Sequence, residues 1–397
     1  MQIIKLALKN LRGNSFRTLV IFLAVMGVAG FLLATTLIIK GAEYSLDSGL
    51  KRLGADILVV PAGAENKVET ALLMGKPTNV WMSKDNLKSV SAVAGVQSVS
   101  PQIYLSSLYG AACCAVSEMF MVVYDPATDF TLTPWLENNL KRPLAQGEVI
   151  GGSYISTPEG EKYIKLYGYN LTLKGNLAPT GTGIDQTLFM TQETAQAMAD
   201  SSITTAEQPL QINANQISTI MVRVNPAADV HRVALTILRE TRGMVPIESP
   251  NLFGTFRNQM TGLLWGFFAI TVVVWIIAVI LIGLIFSMAA HERRREMAVL
   301  RAIGASREFI FRSVLAEAIV LALSGAVMGI AAAALGIYLF KDWLAESLKM
   351  PFLFPSLPSF IGLFGVGVAV AIVMVTLAAL IPAVRMSRQE LAIAMRE

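Results

Sequence analysis

Four long apolar stretches constrain the fold of this chain more than any other feature of its sequence. They cover residues 18–39, 262–290, 313–340 and 359–384. Each is at least as long as the roughly 20 residues that a helix needs to cross the hydrocarbon core of a bilayer. Charged residues make up 15% of the chain, whereas a soluble domain carries about 25%. Because a helix satisfies its own backbone hydrogen bonds in lipid, the sequence predicts an α-helical membrane protein with four transmembrane helices.

Basic residues near the ends of these stretches predict how the chain is oriented in its membrane. The N-terminal lead, the segment 291–312 and the C-terminal tail are rich in arginine or lysine, whereas the connection between the third and fourth stretches has only Lys341 and Lys349. Cytoplasmic loops carry the excess of basic residues in membrane proteins. We therefore expect both termini to be cytoplasmic, and the basic balance of the chain to reflect topology rather than nucleic-acid binding.

The predicted helices divide the chain into seven segments, of which the second is a large external domain. At the N-terminus, Ile4, Leu8 and Leu11 recur at helical spacing opposite basic residues, which is typical of a short helix lying on the membrane surface. The segments are 1–40 (amphipathic entry helix and first span), 41–260 (external domain), 261–290 (second span), 291–312 (cytoplasmic loop), 313–340 (third span), 341–358 (short external loop) and 359–397 (fourth span and cytoplasmic tail).

The external domain has the pattern of a mixed α/β fold. Residues 55–63, ADILVVPAG, predict a strand, and residues 217–249 predict strand, helix and strand, with Asn225-Pro226 opening the helix. Two alternating runs on either side of Gly168 predict a β-hairpin. Ser83 is a candidate N-cap for a helix over residues 83–93.

The sequence lacks the motifs of several common catalytic sites. It contains no G-x-x-x-x-G-K-[ST] phosphate loop, no H-E-x-x-H and no G-x-S-x-G. With only two histidines and two cysteines in the whole chain, we expect no conventional structural zinc site. We therefore expect no catalytic residues and no enzyme activity in this chain itself.

The segment 291–312 combines charge with a short apolar face. Its core, EMAVLRAIGA over residues 296–305, predicts a short helix that Gly304 would end, and Ser306 would cap the next helix. A positive-inside anchor would explain the arginines but leaves the apolar residues without a role. An amphipathic helix with charged flanks suits docking into a groove of a soluble partner, and this is the prediction that we adopt.

Several motifs are similar to those of one family of membrane proteins. EMAVLRAIGASR followed by a long helix resembles the coupling segment of the FtsX/MacB/LolC-type (type VII) ABC transporter permeases. The stretch over residues 3–30 resembles the entry helix and first span of that family, GADILVVPAG its first external strand, and IPAVRMSRQELAIAMRE its last exit and tail. The order of one span, an external domain and three further spans is also similar.

This resemblance implies a function that the residues alone do not specify. It implies a permease subunit in the bacterial inner membrane, with a MacB-like periplasmic core domain and a second copy or a paralogue as dimer partner. Separate ATP-binding subunits would hold ATP and Mg and dock on coupling residues Glu296, Leu300, Arg301, Ile303 and Gly304. ATP hydrolysis would move the external domains (mechanotransmission) to export or extract a substrate. The alternative is a regulator that relays this motion to a periplasmic protein, a lipoprotein or a cell-wall enzyme.

Both cysteines of the chain are adjacent, at Cys113 and Cys114 in the external domain. Consecutive Cα atoms lie about 3.8 Å apart, below the usual disulfide range of about 4.4–6.8 Å, so a bridge between them would be strained and readily reduced. The pair is a candidate metal-binding or redox site, to which Met119 and Met121 could add thioether ligands. Reduced core cysteines, or a bridge to another chain, are the alternatives.

Overall fold

The computed structural model describes residues 15–107, 119–158, 160–292, 299, 303–348 and 351–388. The chain divides into two compact units. The membrane unit comprises the described parts of Met1–Lys40, Thr261–Leu344 and Phe354–Glu397. The external unit comprises those of Gly41–Met260 and Ala345–Leu353.

The described residues form long helices in the membrane unit and alternating strands and short helices in the external unit. The helices are α1 (Ser15–Leu53), α2 (Glu65–Met74), α3 (Asn86–Ser91), α4 (Thr133–Asn139), α5 (Gln192–Thr205), α6 (Val230–Glu240), α7 (Gly254–Glu292), α8 (Arg307–Leu348) and α9 (Leu357–Arg388). The strands are β1 (Ile57–Pro61), β2 (Met82–Ser83), β3 (Val96–Ser106), β4 (Phe120–Tyr124), β5 (Glu148–Gly151), β6 (Ile164–Leu166), β7 (Tyr169–Asn176), β8 (Thr187–Thr191), β9 (Gln216–Ile217), β10 (Thr219–Val224) and β11 (Met244–Glu248).

Four helices are long and apolar enough to cross a membrane. The candidate spans are Thr18–Leu53, Trp265–Met288, Arg307–Lys341 and Leu357–Arg385. Together with the mixed sheet of the external unit, they confirm the predicted fold class: four transmembrane helices and a large mixed α/β domain inserted between the first and second.

The first helix is longer than the sequence pattern predicts. The apolar stretch ends near residue 39, but α1 continues to Leu53. The continuation is amphipathic, because Ala42, Leu46 and Leu53 are buried while Lys51 and Asp47 form an exposed ion pair at 2.6 Å. The part of α1 after residue 39 is amphipathic rather than uniformly apolar, so a search for apolar stretches does not detect it.

Small residues let the helices of the membrane unit approach closely. A Cβ atom on Gly329 of α8 would lie 2.1 Å from the carbonyl oxygen of Met26 in α1, and one on Gly325 would lie 3.0 Å from Val25. Reciprocally, a Cβ on Gly30 would lie 2.9 Å from the carbonyl oxygen of Gly329. Glycines four apart commonly form such contacts in membranes. Here Gly325 and Gly329 pack α8 against α1 of the same chain.

The external unit is built on a nine-stranded mixed sheet in the order β11-β1-β10-β3-β4-β8-β5-β7-β6. β4 pairs with β8 and β5 pairs with β7 in parallel, and the other neighbours are antiparallel. The last strands of the domain, β10 and β11, flank the first strand, β1. This pairing brings the start of α7 and the end of α1 to neighbouring strands.

The predicted hairpin at Gly168 is confirmed. β6 and β7 are antiparallel, with Leu166 opposite Tyr169, and the two connecting residues both have positive φ angles, 50° at Tyr167 and 76° at Gly168. Positive φ at both central positions defines the turn that matches the twist of a two-residue hairpin.

Two predicted helix starts in the external domain are wrong. Ser83 is not an N-cap, because it lies in β2 and pairs with Gln216, and α3 begins three residues later. The helix after β10 does not begin at residues 225–226. It begins after Asp229, whose carboxylate accepts a hydrogen bond from the Arg232 N–H at 3.0 Å. In both cases a tertiary or capping contact further along the chain decides the boundary.

Candidate functional site

The predicted coupling segment is described in part. Glu296, Leu300 and Arg301 lie outside the described residues, whereas Ile303 and Gly304 lie within them. Of the five predicted coupling residues, two can therefore be placed, and their contact with an ATP-binding subunit stays a prediction.

Val299 and Ile303 present an exposed apolar face. The Ile303 N–H donates a hydrogen bond to the Val299 carbonyl oxygen at 3.1 Å, which is the spacing of one α-helical turn. Residues four apart lie on the same face of a helix. Val299 is 53% exposed and Ile303 is 79% exposed. Paired apolar side chains on a charged segment outside the apolar stretches are typical of a docking surface.

Both ends of the connection from this turn to α8 are defined by single residues. Gly304 has a φ angle of 106°, a conformation that L side chains rarely adopt, and it ends the turn as predicted. The Ser306 hydroxyl accepts a hydrogen bond from the Phe309 N–H at 3.1 Å and caps α8, also as predicted. One turn later, Glu308 and Arg312 form an ion pair at 2.5 Å. The connection between the turn and α8 is therefore short, and its two ends are set by Gly304 and Ser306.

Two continuous helices cross the boundary between the membrane unit and the external unit. The boundary falls at residues 40–41 within α1 and at residues 260–261 within α7. Each helix has 39 residues, or about 58 Å at 1.5 Å per residue, whereas the hydrocarbon core is about 30 Å thick. α7 ends at Glu292, at the start of the predicted coupling segment 291–312.

The start of α7 is held in the external unit by a buried acid. Glu69 of α2 is 8% exposed, and its carboxylate accepts a hydrogen bond from the Phe256 N–H in the first turn of α7 at 3.0 Å. A carboxylate at a helix N-terminus satisfies an otherwise unpaired N–H and interacts favourably with the helix dipole. Leu252 and Phe253 are buried just before it. Sequence analysis missed Glu69, since its partner is 187 residues away in the chain.

The proposed metal or redox site is described at its two methionines. Met119 and Met121 are 8% and 0% exposed and belong to the apolar core of the external unit. Cys113 and Cys114 lie outside the described residues. In the described part of the chain, no cluster of three histidine, cysteine or acidic side chains is arranged to hold a metal ion. The role of the cysteine pair stays a prediction.

A cavity of about 340 Å³ lies between the end of β4 and α4, with Tyr124, Leu136, Glu137, Lys141 and Arg142 in its lining. Among the described residues, the Tyr124 hydroxyl has no hydrogen-bond partner although it is buried. Burial raises the pKa of Tyr124, and the nearby Asp129 carboxylate adds to the shift, so this hydroxyl remains a donor at physiological pH. Sequence analysis did not predict this cavity.

Comparisons with known proteins find similarity to ABC transporter permeases. Residues 268–391, which include most of α7 and all of α8 and α9, match the family model "FtsX-like permease C-terminal". The chain is 26% identical over 339 residues to the macrolide export ATP-binding/permease protein MacB of Bdellovibrio bacteriovorus, covering 78% of this chain and 49% of that relative. It is 34% identical over 95 residues to an uncharacterised ABC transporter permease of Mycobacterium tuberculosis, covering 24% of this chain and 27% of the relative.

The chain thus spans about half the length of the MacB relative and less of the mycobacterial one. Among solved structures, the periplasmic region of MacB from Actinobacillus actinomycetemcomitans aligns with a TM-score of 0.33 and 10% identity, covering 53% of this chain and 96% of that one. The extracellular domain of the noncanonical ABC-type transporter YknZ from Gram-positive bacteria aligns with a TM-score of 0.27 and 11% identity, covering 49% and 99%. TM-scores below 0.5 do not establish a shared fold.

The matched permease domain, the MacB relative and the order of one span, an external domain and three spans agree with one another. Residues 268–391 are thus similar to the FtsX-like permeases, and most of the chain is similar to an ABC-type MacB protein.

Proposed function

We propose that this chain is the permease subunit of an ABC transporter complex in which separate ATP-binding subunits dock on the segment 291–312. ATP binding and hydrolysis in those subunits, with Mg, move the docked segment. The continuous helices that flank it carry this movement to the external domain. The work is then done at the outer face of the membrane, as export or extraction of a substrate.

The exposed pair Val299 and Ile303 is the observation that carries this proposal. Two apolar side chains four residues apart are joined by a backbone hydrogen bond and are largely exposed in the single chain. Exposure of apolar surface is unfavourable by about 25 cal/mol per Å², so a partner that covers this turn gains that energy. Charged residues on both sides would set the register of docking.

The interior of the membrane unit supports movement of helices rather than passage of a polar substrate between them. All four long helices contribute to one apolar cluster, which includes Ile21, Ile282, Leu321 and Met374. In the described helices of this unit, the buried polar side chains are Ser313 and Glu317 in the first turns of α8. The described interior of this unit therefore offers few polar groups to a substrate.

The direct test replaces Ile303 of the exposed pair. In the full-length chain co-expressed with its ATP-binding subunit, Ile303→Asp should reduce the amount of co-purified subunit about tenfold or more, since buried anchors dominate interface energies. Ile203→Asp is the matched control, because Ile203 is also a largely exposed isoleucine, 69% exposed on α5 of the external unit. The control should retain the subunit at the wild-type ratio.

Charge reversal provides the second arm of the test. Glu296→Arg and Arg301→Glu should lower both subunit attachment and nucleotide turnover of the purified complex, because both are predicted coupling contacts. Undiminished attachment and turnover in these variants and in Ile303→Asp would refute docking at this segment.

We further propose that the protein lies in the bacterial inner membrane with both termini in the cytoplasm and the external domain in the periplasm or outside the cell. The basic flanks of the spans support this orientation. In intact cells, a membrane-impermeant maleimide should label Ile203→Cys of the external domain and spare Ile303→Cys, in a background with both native cysteines replaced by serine. The reverse labelling pattern would contradict the orientation.

The substrate class is a separate matter. The Bdellovibrio relative is named a macrolide exporter, and we infer export for this chain at the level of reaction class only. Regulation of an external enzyme by the same motion is the alternative. An accumulation assay with a panel of macrolides in a deletion strain tests macrolide export, which predicts increased retention of at least one of these compounds.

A further inference from the structure

We propose that the short connection between α8 and α9 is a third mechanical attachment of the external domain, in addition to the helices α1 and α7. Residues Ala345–Leu353 belong to the external unit, although the helices on both sides of them belong mostly to the membrane unit. Three segments that are distant in sequence meet at Phe352, and we call this contact the Phe352 clamp. Its members are Gly41, Ser45, Gly181 and Phe352.

The first half of the clamp is the contact of Phe352 with α1. The Leu353 N–H donates a hydrogen bond to the Gly41 carbonyl oxygen at 3.2 Å, within the first turn of α1 that belongs to the external unit. A Cβ atom on Gly41 would lie 2.3 Å from the Phe352 ring. The ring therefore rests on the bare backbone of α1, and any larger residue at Gly41 would displace it.

The second half of the clamp is a glycine in the loop that precedes β8. Gly181 has a φ angle of 73°, and a Cβ atom there would lie 2.6 Å from the Phe352 carbonyl oxygen and 2.6 Å from the Ser45 hydroxyl. The Ser45 hydroxyl in turn donates to the Thr180 carbonyl oxygen at 2.8 Å. Phe352 thus lies between α1 on one side and this loop on the other.

The loop that carries Gly181 is held firmly. Asp185 is 1% exposed, and its carboxylate accepts hydrogen bonds from the Thr180 N–H at 2.9 Å and the Gly181 N–H at 2.6 Å. Burial raises the pKa of Asp185, and these hydrogen bonds oppose the shift. The Arg52 guanidinium donates to the Ala178 carbonyl oxygen at 3.2 Å and ties the loop to the end of α1. A loop with this many internal bonds transmits displacement instead of absorbing it.

The position of the clamp along the chain gives it a mechanical role. α8 begins at Arg307, directly after the predicted coupling segment, and ends at Leu348, four residues before Phe352. Its 42 residues correspond to about 63 Å of continuous helix. α8 therefore connects the coupling segment to the clamp, as α7 connects it to the start of the external domain. The inference rests on the proposed function, because it describes a second path for the same motion.

Sequence alone offers little sign of this contact. Gly41 lies 311 residues before Phe352 and Gly181 lies 171 residues before it, by their numbers in the chain. Glycine is less favourable than alanine inside a helix, and at position 41 the Phe352 ring occupies the space that a Cβ atom would need.

The test uses hydrogen exchange of the full-length chain in lipid nanodiscs. Gly41→Ala and Gly181→Ala each add one methyl group to the clamp, and Phe352→Ala removes the ring without adding an atom. Gly27→Ala is the control for Gly41→Ala, because Gly27 lies in the same helix with no atom within 4 Å of a Cβ. Gly243→Ala is the control for Gly181→Ala, since Gly243 has a φ angle of 77° and equally open surroundings.

Without a partner subunit, exchange of the Leu353 amide reports the clamp itself. Gly41→Ala should speed this exchange about tenfold or more relative to Gly27→Ala, at the low end of overpacking effects, and Phe352→Ala should speed it as well. Equal exchange in all variants and controls would overturn the clamp.

With the ATP-binding subunit and ATP, exchange reports transmission. In the wild type and both controls, ATP should change exchange in residues 178–185 and in the segment that follows Pro351, whereas in the clamp variants this change should be lost. If the wild type responds and the clamp variants respond equally, the clamp does not transmit motion. If the subunit does not bind, or ATP changes nothing in the external unit of the wild type, the proposed function itself fails and the mechanical role fails with it.

Discussion

Replacement of Gly329 by alanine should separate α8 from α1 and destabilise the membrane unit. The Cβ of the new residue would lie 2.1 Å from the Met26 carbonyl oxygen and 2.9 Å from the Met26 carbonyl carbon. Backbone atoms cannot move aside as a flexible side chain can, so α1 has to shift away along its contact with α8. Overpacking of a well-packed core costs about 1–3 kcal/mol.

A matched glycine in the same helix isolates this effect. A Cβ on Gly336 of α8 has no atom within 4 Å, so Gly336→Ala carries the helix-propensity gain of up to about 1 kcal/mol without the clash. The expected difference in the free energy of unfolding between Gly329→Ala and Gly336→Ala is therefore about 1–3 kcal/mol. Reversible unfolding of the full-length chain in mixed micelles with increasing dodecyl sulfate, followed by circular dichroism, measures it.

The reciprocal variant provides a second check. Gly30→Ala approaches the Gly329 carbonyl oxygen at 2.9 Å, so it should also destabilise, by less than Gly329→Ala. If Gly329→Ala unfolds at the same detergent fraction as Gly336→Ala, α8 does not pack closely against α1 at Gly329. Gly325 and Gly329 could then contact a second copy of the chain instead.

Three further predictions concern the external unit. Hydrogen bonds from Arg142 lower the pKa of Glu148 from its usual 4.5 to about 2. The ionised Glu148 therefore stabilises the fold above pH 4.5, and this stabilisation is lost as the pH falls toward 2. Glu148→Gln should remove about 1 kcal/mol of this pH dependence in denaturant unfolding, a figure that allows for solvent screening of the half-exposed guanidinium. Asp185→Ala leaves buried N–H groups unpaired and should lower the free energy of unfolding by about 1–3 kcal/mol, measured in the same way. Replacement of Cys113 and Cys114 by serine should abolish activity in a complemented strain if the pair binds metal or exchanges thiols, and unchanged activity would end that hypothesis.

Local sequence patterns predict a strand or turn of the external domain correctly where neighbouring residues in the chain determine it. The hairpin at Gly168 is one example, because positive φ at two consecutive residues and the alternation of the flanking strands are properties of a short segment. Helix starts are less local. Ser83 is a plausible cap by residue type, yet its backbone pairs with Gln216, which lies 133 residues further along the chain by its number.

The candidate site divides in the same way. Gly304 and Ser306 follow from the sequence, since a glycine stop and a serine cap act within one or two turns of helix. Glu69 could not be predicted, because its hydrogen bond to the Phe256 N–H depends on the strand order that brings α2 beside the start of α7. An acidic residue in a short helix is by itself unremarkable in sequence.

Hydropathy and basic flanks alone determined that the chain has four membrane helices with a large domain between the first two, because transfer of side chains from water to lipid is a property of each segment by itself. Tertiary structure decided what the glycines do. Gly325 and Gly329 could serve a second copy or the same chain by their spacing, and Gly41 and Gly181 have no visible purpose in sequence. Only the backbone that lies against each of them, at distances that exclude a Cβ atom, fixes their role.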